Sequence, residues 1–334
     1  MIILSLLLLF AVSALLYLTL NVAAWFNGML RRRRSLDYTQ GGNLLVVVAH
    51  QDDETAVAGG AMLKTLAKGG NVYIVYTVDG VTAPRVANQI EVPRLIELRE
   101  KEALNCLASI GIPQTNVHFL RNRNEYGLRD PENVEKTVYR VQHLIQQIKP
   151  YALVTSAFEG GHPDHDITNY IVARACERAD YPRIRVYEAP EYNQYYLWNW
   201  LTTRKYINRF LLIKFYSGPK LPHSARTFTL PMSPQELEAK CAMLRLFPSE
   251  DSPKLVAMFG YPDQFRPIAH YDYSIGPFNP DRTIRHWLVK ILKRGRPTFP
   301  FGLTYDDYLV LYRDLDSYFS ELAQKGNEKR QQLS

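Results

Sequence analysis

With 334 residues, 46% of them hydrophobic and 22% charged, the chain can bury a sizeable core in one large domain with appendages, which excludes disorder as its default state. The net charge of +7 comes without an interleaved basic and aromatic repeat or a nucleic-acid motif, so we expect no nucleic-acid partner and ascribe the excess to an anionic membrane surface. Cys106, Cys176 and Cys241 lie far apart and in no metal or disulfide spacing, so they read as reduced, mostly buried thiols of a cytoplasmic domain.

From Met1 to Leu30 no side chain is charged, and Ile2 to Phe26 exceeds the roughly 20 apolar residues that cross a bilayer. Arg31-Arg32-Arg33-Arg34 follow the apolar run, whereas a cleaved signal peptide carries its basic residues before a shorter one. The expectation is a single uncleaved transmembrane helix over 1–30 and a basic juxtamembrane linker over 31–42. Everything beyond would lie on the cytoplasmic side, because flanking Lys and Arg stay inside.

Residues 43–49 read as a buried parallel strand, 59–68 as a helix closed by Gly69-Gly70, and 72–78 as a second strand, which together make a right-handed βαβ unit. A polar loop leads to a helix over 94–110, a short strand over 117–120, a helix over 131–149 and a strand over 151–157. A helix over 166–179 and a strand over 184–188 come next. The alternation predicts an α/β fold, a Rossmann-like three-layer sandwich with a mostly parallel sheet.

The first strand ends in Ala49-His50-Gln51-Asp52-Asp53-Glu54, which puts ionisable groups at the tip of a parallel strand, where open α/β sheets keep their sites. His50 and Asp53 are three residues apart and can close on one cation from a single turn, leaving Asp52 as a free base. The strand over 151–157 delivers Gly160-Gly161-His162-Pro163-Asp164-His165, two more imidazoles on a turn that glycine loosens and proline stiffens. Two His and one Asp suit a metal with an open position, with a carboxylate and one His left to move protons. A nucleotide-binding Rossmann domain is disfavoured, because no G-x-G-x-x-G follows the first strand.

These two motifs resemble the LmbE-like deacetylases, which include the N-acetylglucosaminyl-phosphatidylinositol de-N-acetylases and the mycothiol-pathway deacetylases. That family carries A-H-P-D-D-E after its first strand and H-x-x-H after a later one. The present chain departs at Gln51, where the family has Pro, and the resemblance covers residues 43 to 190 before thinning. It implies a deacetylase domain over 43–275. Arg99-Glu100-Lys101-Glu102-Ala103 resembles the family's R-x-x-E-A segment, so Arg99 would reach substrate; the alternative is a solvated helix face. Lys240 to Glu250 resembles its closing K-x-x-A-L segment.

Beyond residue 188 the aromatics from Tyr187 to Phe210 suit either a core or a wall for a sugar ring or lipid interface. A helix is expected from Ser233-Pro234-Gln235-Glu236 through Leu246. The C-terminal extension, 276–334, opens with a basic amphipathic stretch over 282–296 that suits a membrane interface or an ordinary surface helix, and closes with a helix over 304–323. His118, His143, His223, His270 and His286 are assigned no chemistry.

The expected activity is hydrolysis of the N-acetyl group of an N-acetylated amino sugar, a lipid-linked one included. The substrate class comes from the resemblance. His50, Asp53 and His165 would hold Zn²⁺ or another divalent metal and acidify a water; Asp52 would act as base, and His162 would stabilise the oxyanion and assist the leaving amine. Glu54 and Asp164 would orient the ligands. The alternatives are a hydrolase of another amide or thiol-conjugate, or a membrane-tethered sugar-binding protein without turnover.

Overall fold

The computed structural model describes residues 2–32, 42–81, 89–123, 129–159, 162–191, 228–267, 273 and 305–332. Helix α1 spans Ile2–Arg32, and Leu8, Leu9, Phe10, Leu15 and Leu16 stand exposed on it. Among the described residues no helix is long and apolar enough to cross a membrane.

The first sheet strand, β1 (Leu44–Val48), is buried along its whole length, as a continuous Leu/Val run demands of a central parallel strand. Helix α2 (Asp53–Ala67) leads to β2 (Val72–Val78), α3 (Val92–Ser109) to β3 (Val117–Asn122), α4 (Pro131–Ile148) to β4 (Ala152–Ser156), and α5 (Pro163–Arg178) to β5 (Arg185–Ala189). Two short strands, β6 (Phe228–Thr229) and β7 (Gln264–Pro267), flank α6 (Pro234–Leu244) and α7 (Ser252–Phe259), and α8 (Tyr305–Gln332) closes the described chain.

The seven-stranded sheet runs β3-β2-β1-β4-β5-β7-β6. The pairs β2/β3, β1/β2, β1/β4 and β4/β5 are parallel, and β5/β7 and β6/β7 antiparallel. Strand order reverses between β1 and β4, so a crevice opens at their carboxyl ends, where doubly wound sheets bind ligands. Alternate β1 residues feed the two helical layers. Val46 and Val48 pack with α2, α3, α6 and α7, whereas Leu45 and Val47 pack with α4, α5 and α8. The expected three-layer sandwich with a mostly parallel sheet is thus present; β6, β7 and α7 were not anticipated.

Two helix starts differ from expectation, and both move a site residue onto a helix. Helix α2 begins at Asp53 instead of residue 59, and α5 at Pro163 instead of 166. Carboxylates favour the positive end of a helix, and Pro163 is preset for a first helical position whose N–H needs no partner. Helix α6 begins with a Ser233/Glu236 capping box, and α4 with Asp130 accepting from the Glu132 N–H at 3.1 Å. The three cysteines are free thiols, Cys106 and Cys241 buried and Cys176 half-buried. Residues 192–227 with most of the aromatic run, the 282–296 stretch, Gly160-Gly161, His223, His270 and His286 lie outside the described residues.

Candidate metal centre at the switch point

His50 and Asp53 arrive on the β1–α2 turn, and His162 and His165 on the first turn of α5. The His50 main-chain N–H donates to Asp53 Oδ2 at 2.7 Å, which turns the carboxylate back toward the strand. His50 Nδ1 then lies 3.3 Å from Asp53 Oδ2 and 3.1 Å from His165 Nε2, and His165 Nε2 lies 3.2 Å from Asp53 Oδ2. Three donor atoms on a triangle of that size match tetrahedral zinc, whose bonds of about 2.1 Å set neighbouring ligand atoms about 3.4 Å apart. His50, Asp53 and His165 therefore fit the ion expected of them. His162 is close by, its ring centroid 4.6 Å from that of His50, and it also belongs to a histidine group able to hold a metal.

Each imidazole of the triangle has a carboxylate behind it. His50 Nε2 is 3.1 Å from Asp164 Oδ2, and His165 Nδ1 is 3.3 Å from Glu191 Oε1. Asp164 was expected near the ligands. Glu191 was not; its only sequence signal is an acid just beyond a strand end, in Ala189-Pro190-Glu191. Burial would lower His50, but the bonds from Asp164 and Asp53 outweigh it and raise the ring to about 9. Burial disfavours charge on Asp53 too, yet His165 and His50 hold its carboxyl well below the usual carboxylate range.

Asp52 stands at φ 132°, a strained backbone for a residue with a side chain, and its N–H donates to Glu54 Oε2 at 3.0 Å. Glu54 thereby braces the turn without facing the triangle. The Asp52 carboxylate turns instead to Arg99, with Oδ1 3.3 Å from Nη2. Burial pushes Asp52 well above the usual carboxylate range, Glu250 adds to the effect, and Arg99 opposes it. Arg99 is not on a solvated helix face. It is 1% exposed, pairs also with Glu250, and lies 3.3 Å from Ser249 Oγ. Ser249 and Glu250, between α6 and α7, carried no chemical signal in the sequence. Their contacts fall on the segment compared above with the family's closing motif. Gln51 is buried against Gly80, whose φ is +73°; a Cβ there would come within 2.0 Å of Gln51 Oε1. His162 Nδ1 accepts from the Asp164 N–H at 3.2 Å as the cap of α5, so the neutral ring carries its proton on Nε2. Burial, with His50 and His165 adding to it, keeps that ring well below its ordinary pKa and hence neutral. His118 is half-buried on β3, and His143 stacks on Tyr139.

The reversal of strand order and the buried donor triangle beside it define a Rossmann-like α/β protein with a metal-competent histidine and carboxylate centre. Residues 45–176 match the family model described as PIG-L, GlcNAc-PI de-N-acetylase. The chain is 30% identical over 159 residues to 1D-myo-inositol 2-acetamido-2-deoxy-alpha-D-glucopyranoside deacetylase 2 of Catenulispora acidiphila, covering 41% of this chain and 52% of that protein. It is 27% identical over 154 residues to mycothiol S-conjugate amidase of Streptomyces coelicolor, again 41% of this chain and 52% of the relative. The chain thus spans about half the length of these curated relatives. A deacetylase triple mutant of the teicoplanin biosynthetic pathway shares the fold, with a TM-score of 0.50 at 15% identity over 69% of this chain and 99% of that one.

Proposed function

We propose that the chain is a metal-dependent amidohydrolase that removes the N-acetyl group from an N-acetylated amino sugar. The observation that carries this reading is the 3.1–3.3 Å triangle of His50 Nδ1, Asp53 Oδ2 and His165 Nε2 at the sheet's switch point. A Zn²⁺ ion held there would supply Lewis acidity and a water acidic near neutral pH. Asp52, with its carboxyl pushed upward by burial, takes the proton of the attacking water; a base whose pKa approaches the working pH does this best. His162, neutral with its proton on Nε2, donates a hydrogen bond to the carbonyl oxygen as that oxygen gains charge, and the proton that Asp52 took from the water goes to the departing amine. Arg99 holds Asp52 in place. Relatives named for acetamido-glucopyranoside and S-conjugate substrates support an amide of a glucosamine unit as the substrate class.

The same reading places the domain at a membrane. The charge-free run 1–30, followed by four arginines, supports one crossing with the domain on the cytoplasmic side, and the exposed apolar side chains of α1 agree with it. Acetate release by the Zn²⁺-loaded chain should be assayed over N-acetylglucosaminides, free, inositol-linked and lipid-linked, with an S-conjugate amide as a further arm. Turnover of the S-conjugate alone would move the assignment to that class; a metal-loaded chain inert to all would refute hydrolysis. A reporter fused after Ser334 should behave as cytoplasmic, and activity on the outer side would overturn the orientation.

A further inference from the structure

The two imidazoles of the triangle are built alike. His50 presents Nδ1 to the shared point and Nε2 to Asp164; His165 presents Nε2 to the shared point and Nδ1 to Glu191, at 3.1 and 3.3 Å respectively from those carboxylates. The Glu191 side chain is 1% exposed, and besides His165 it has the neutral Ser156 hydroxyl as a side-chain hydrogen-bond donor. A carboxylate so deprived of water is costly unless its charge serves a partner, and the one it faces is His165. Its position is braced. The Glu191 N–H donates to Glu159 Oε1 at 2.6 Å, and the Glu159 N–H donates to Asp166 Oδ1 at 2.8 Å. These two bonds tie the end of β5 to the connection and helix that carry His165.

The geometry points to Glu191 as the positioning residue of His165: by accepting the Nδ1–H it fixes the tautomer whose Nε2 lone pair faces Asp53 and His50, and it strengthens that nitrogen as a metal donor. This rests on the metal-centre reading above. Glu191 acts on the ion through His165, although with Asp53 and His165 it also forms a group able to hold a metal, so its effect is read both in the metal and in the ring. In the full-length chain, Glu191→Ala should weaken Zn²⁺ binding about 10- to 100-fold by chelator competition. Glu191→Gln, which keeps an acceptor oxygen at the same place, should recover most of that loss. In metal-free protein labelled with ¹⁵N-histidine, His165 should carry its proton on Nδ1 in the wild type and in Glu191→Gln, and lose that preference in Glu191→Ala. If the Ala variant does not fold, the isosteric Gln variant and the wild-type tautomer carry the test. Wild-type affinity in Glu191→Ala, a Gln variant as weak as the Ala variant, or an Nε2–H ring in the wild type would each overturn the assignment. A wild-type chain that takes up no Zn²⁺ overturns the metal centre itself, and this assignment with it.

Discussion

Asp52 and Asp53 are neighbours with opposite surroundings. Asp53 faces two imidazoles and is held ionised, whereas Asp52 is buried beside Glu250 with one guanidinium in partial compensation. Asp53→Asn should therefore lower Zn²⁺ affinity about 10-fold or more, with activity partly restored by added metal. Asp52→Asn should keep its metal and lose kcat by on the order of 10² to 10⁴. Elemental analysis alongside kcat at saturating Zn²⁺ separates the two; an Asp52 variant empty of metal would reverse the roles. The ring of His50 gives a second expectation. Raised to about 9 in the metal-free chain, it must release a proton to bind metal at neutral pH, so apparent Zn²⁺ affinity should climb between pH 6 and 8. In the metal-free chain the sign is opposite. A raised folded pKa stabilises fully below the unfolded value near 6.5 and loses that contribution as pH rises through about 9. Affinity that is flat over pH 6 to 8 would show that His50 is not a ligand.

Helix α2, which presents Asp53, is fastened from behind by a fully buried pair. Lys240 Nζ lies 2.6 Å from Asp263 Oδ1 and donates to the Ala56 carbonyl at 2.9 Å, while Asp263 Oδ2 accepts from the Ala61 N–H at 2.8 Å. The close approach of α6 explains Gly59, where a Cβ would stand 2.8 Å from Lys240 Cγ, while Gly60 faces Met232 and Asp263. Lys240→Met leaves Asp263 charged and unpaired in the core and should cost about 3–5 kcal/mol in a urea titration. A loss under about 1 kcal/mol would mean that another group compensates Asp263. The elements were unequally legible. Strands β1 and β2 announce themselves as apolar β-branched runs, and the site residues at the tip of β1 follow from it. The starts of α2 and α5 were missed because acids and histidines there resemble a loop until the helix dipole is considered. Strand β7 hides because Gln264-Phe265-Arg266-Pro267 alternates weakly, and its buried Arg266 pairs with Glu188 on β5. Glu191 and Glu250 lie outside any periodic segment, so only the closed fold could bring them to the centre.

At the scale of the molecule, α8 closes the second helical layer. Tyr312, Leu315 and Phe319 enter the core beside α4 and α5, and Asp316 holds Arg174 at 2.7 Å and the Tyr170 hydroxyl at 2.9 Å. The C-terminal helix is therefore part of the domain. Leu315→Ala should destabilise the whole chain by about 2–5 kcal/mol, seen as a lower urea midpoint for domain and helix together. Separate transitions would show α8 to be an appendage. The centre joins residues far apart in the chain, since His50 meets His165 across 115 positions. A ribosome adding about 5–20 residues per second takes roughly 6 to 23 s to travel between them. For most of that interval the nascent β1 waits without β4, an apolar strand with neighbouring acids and without His165. Chains released early would hold one half of the donor set and an open strand edge suited to aggregation. Uptake of an ion by the proposed centre would then mark that synthesis has run past β4 and that the two halves of the sheet have met.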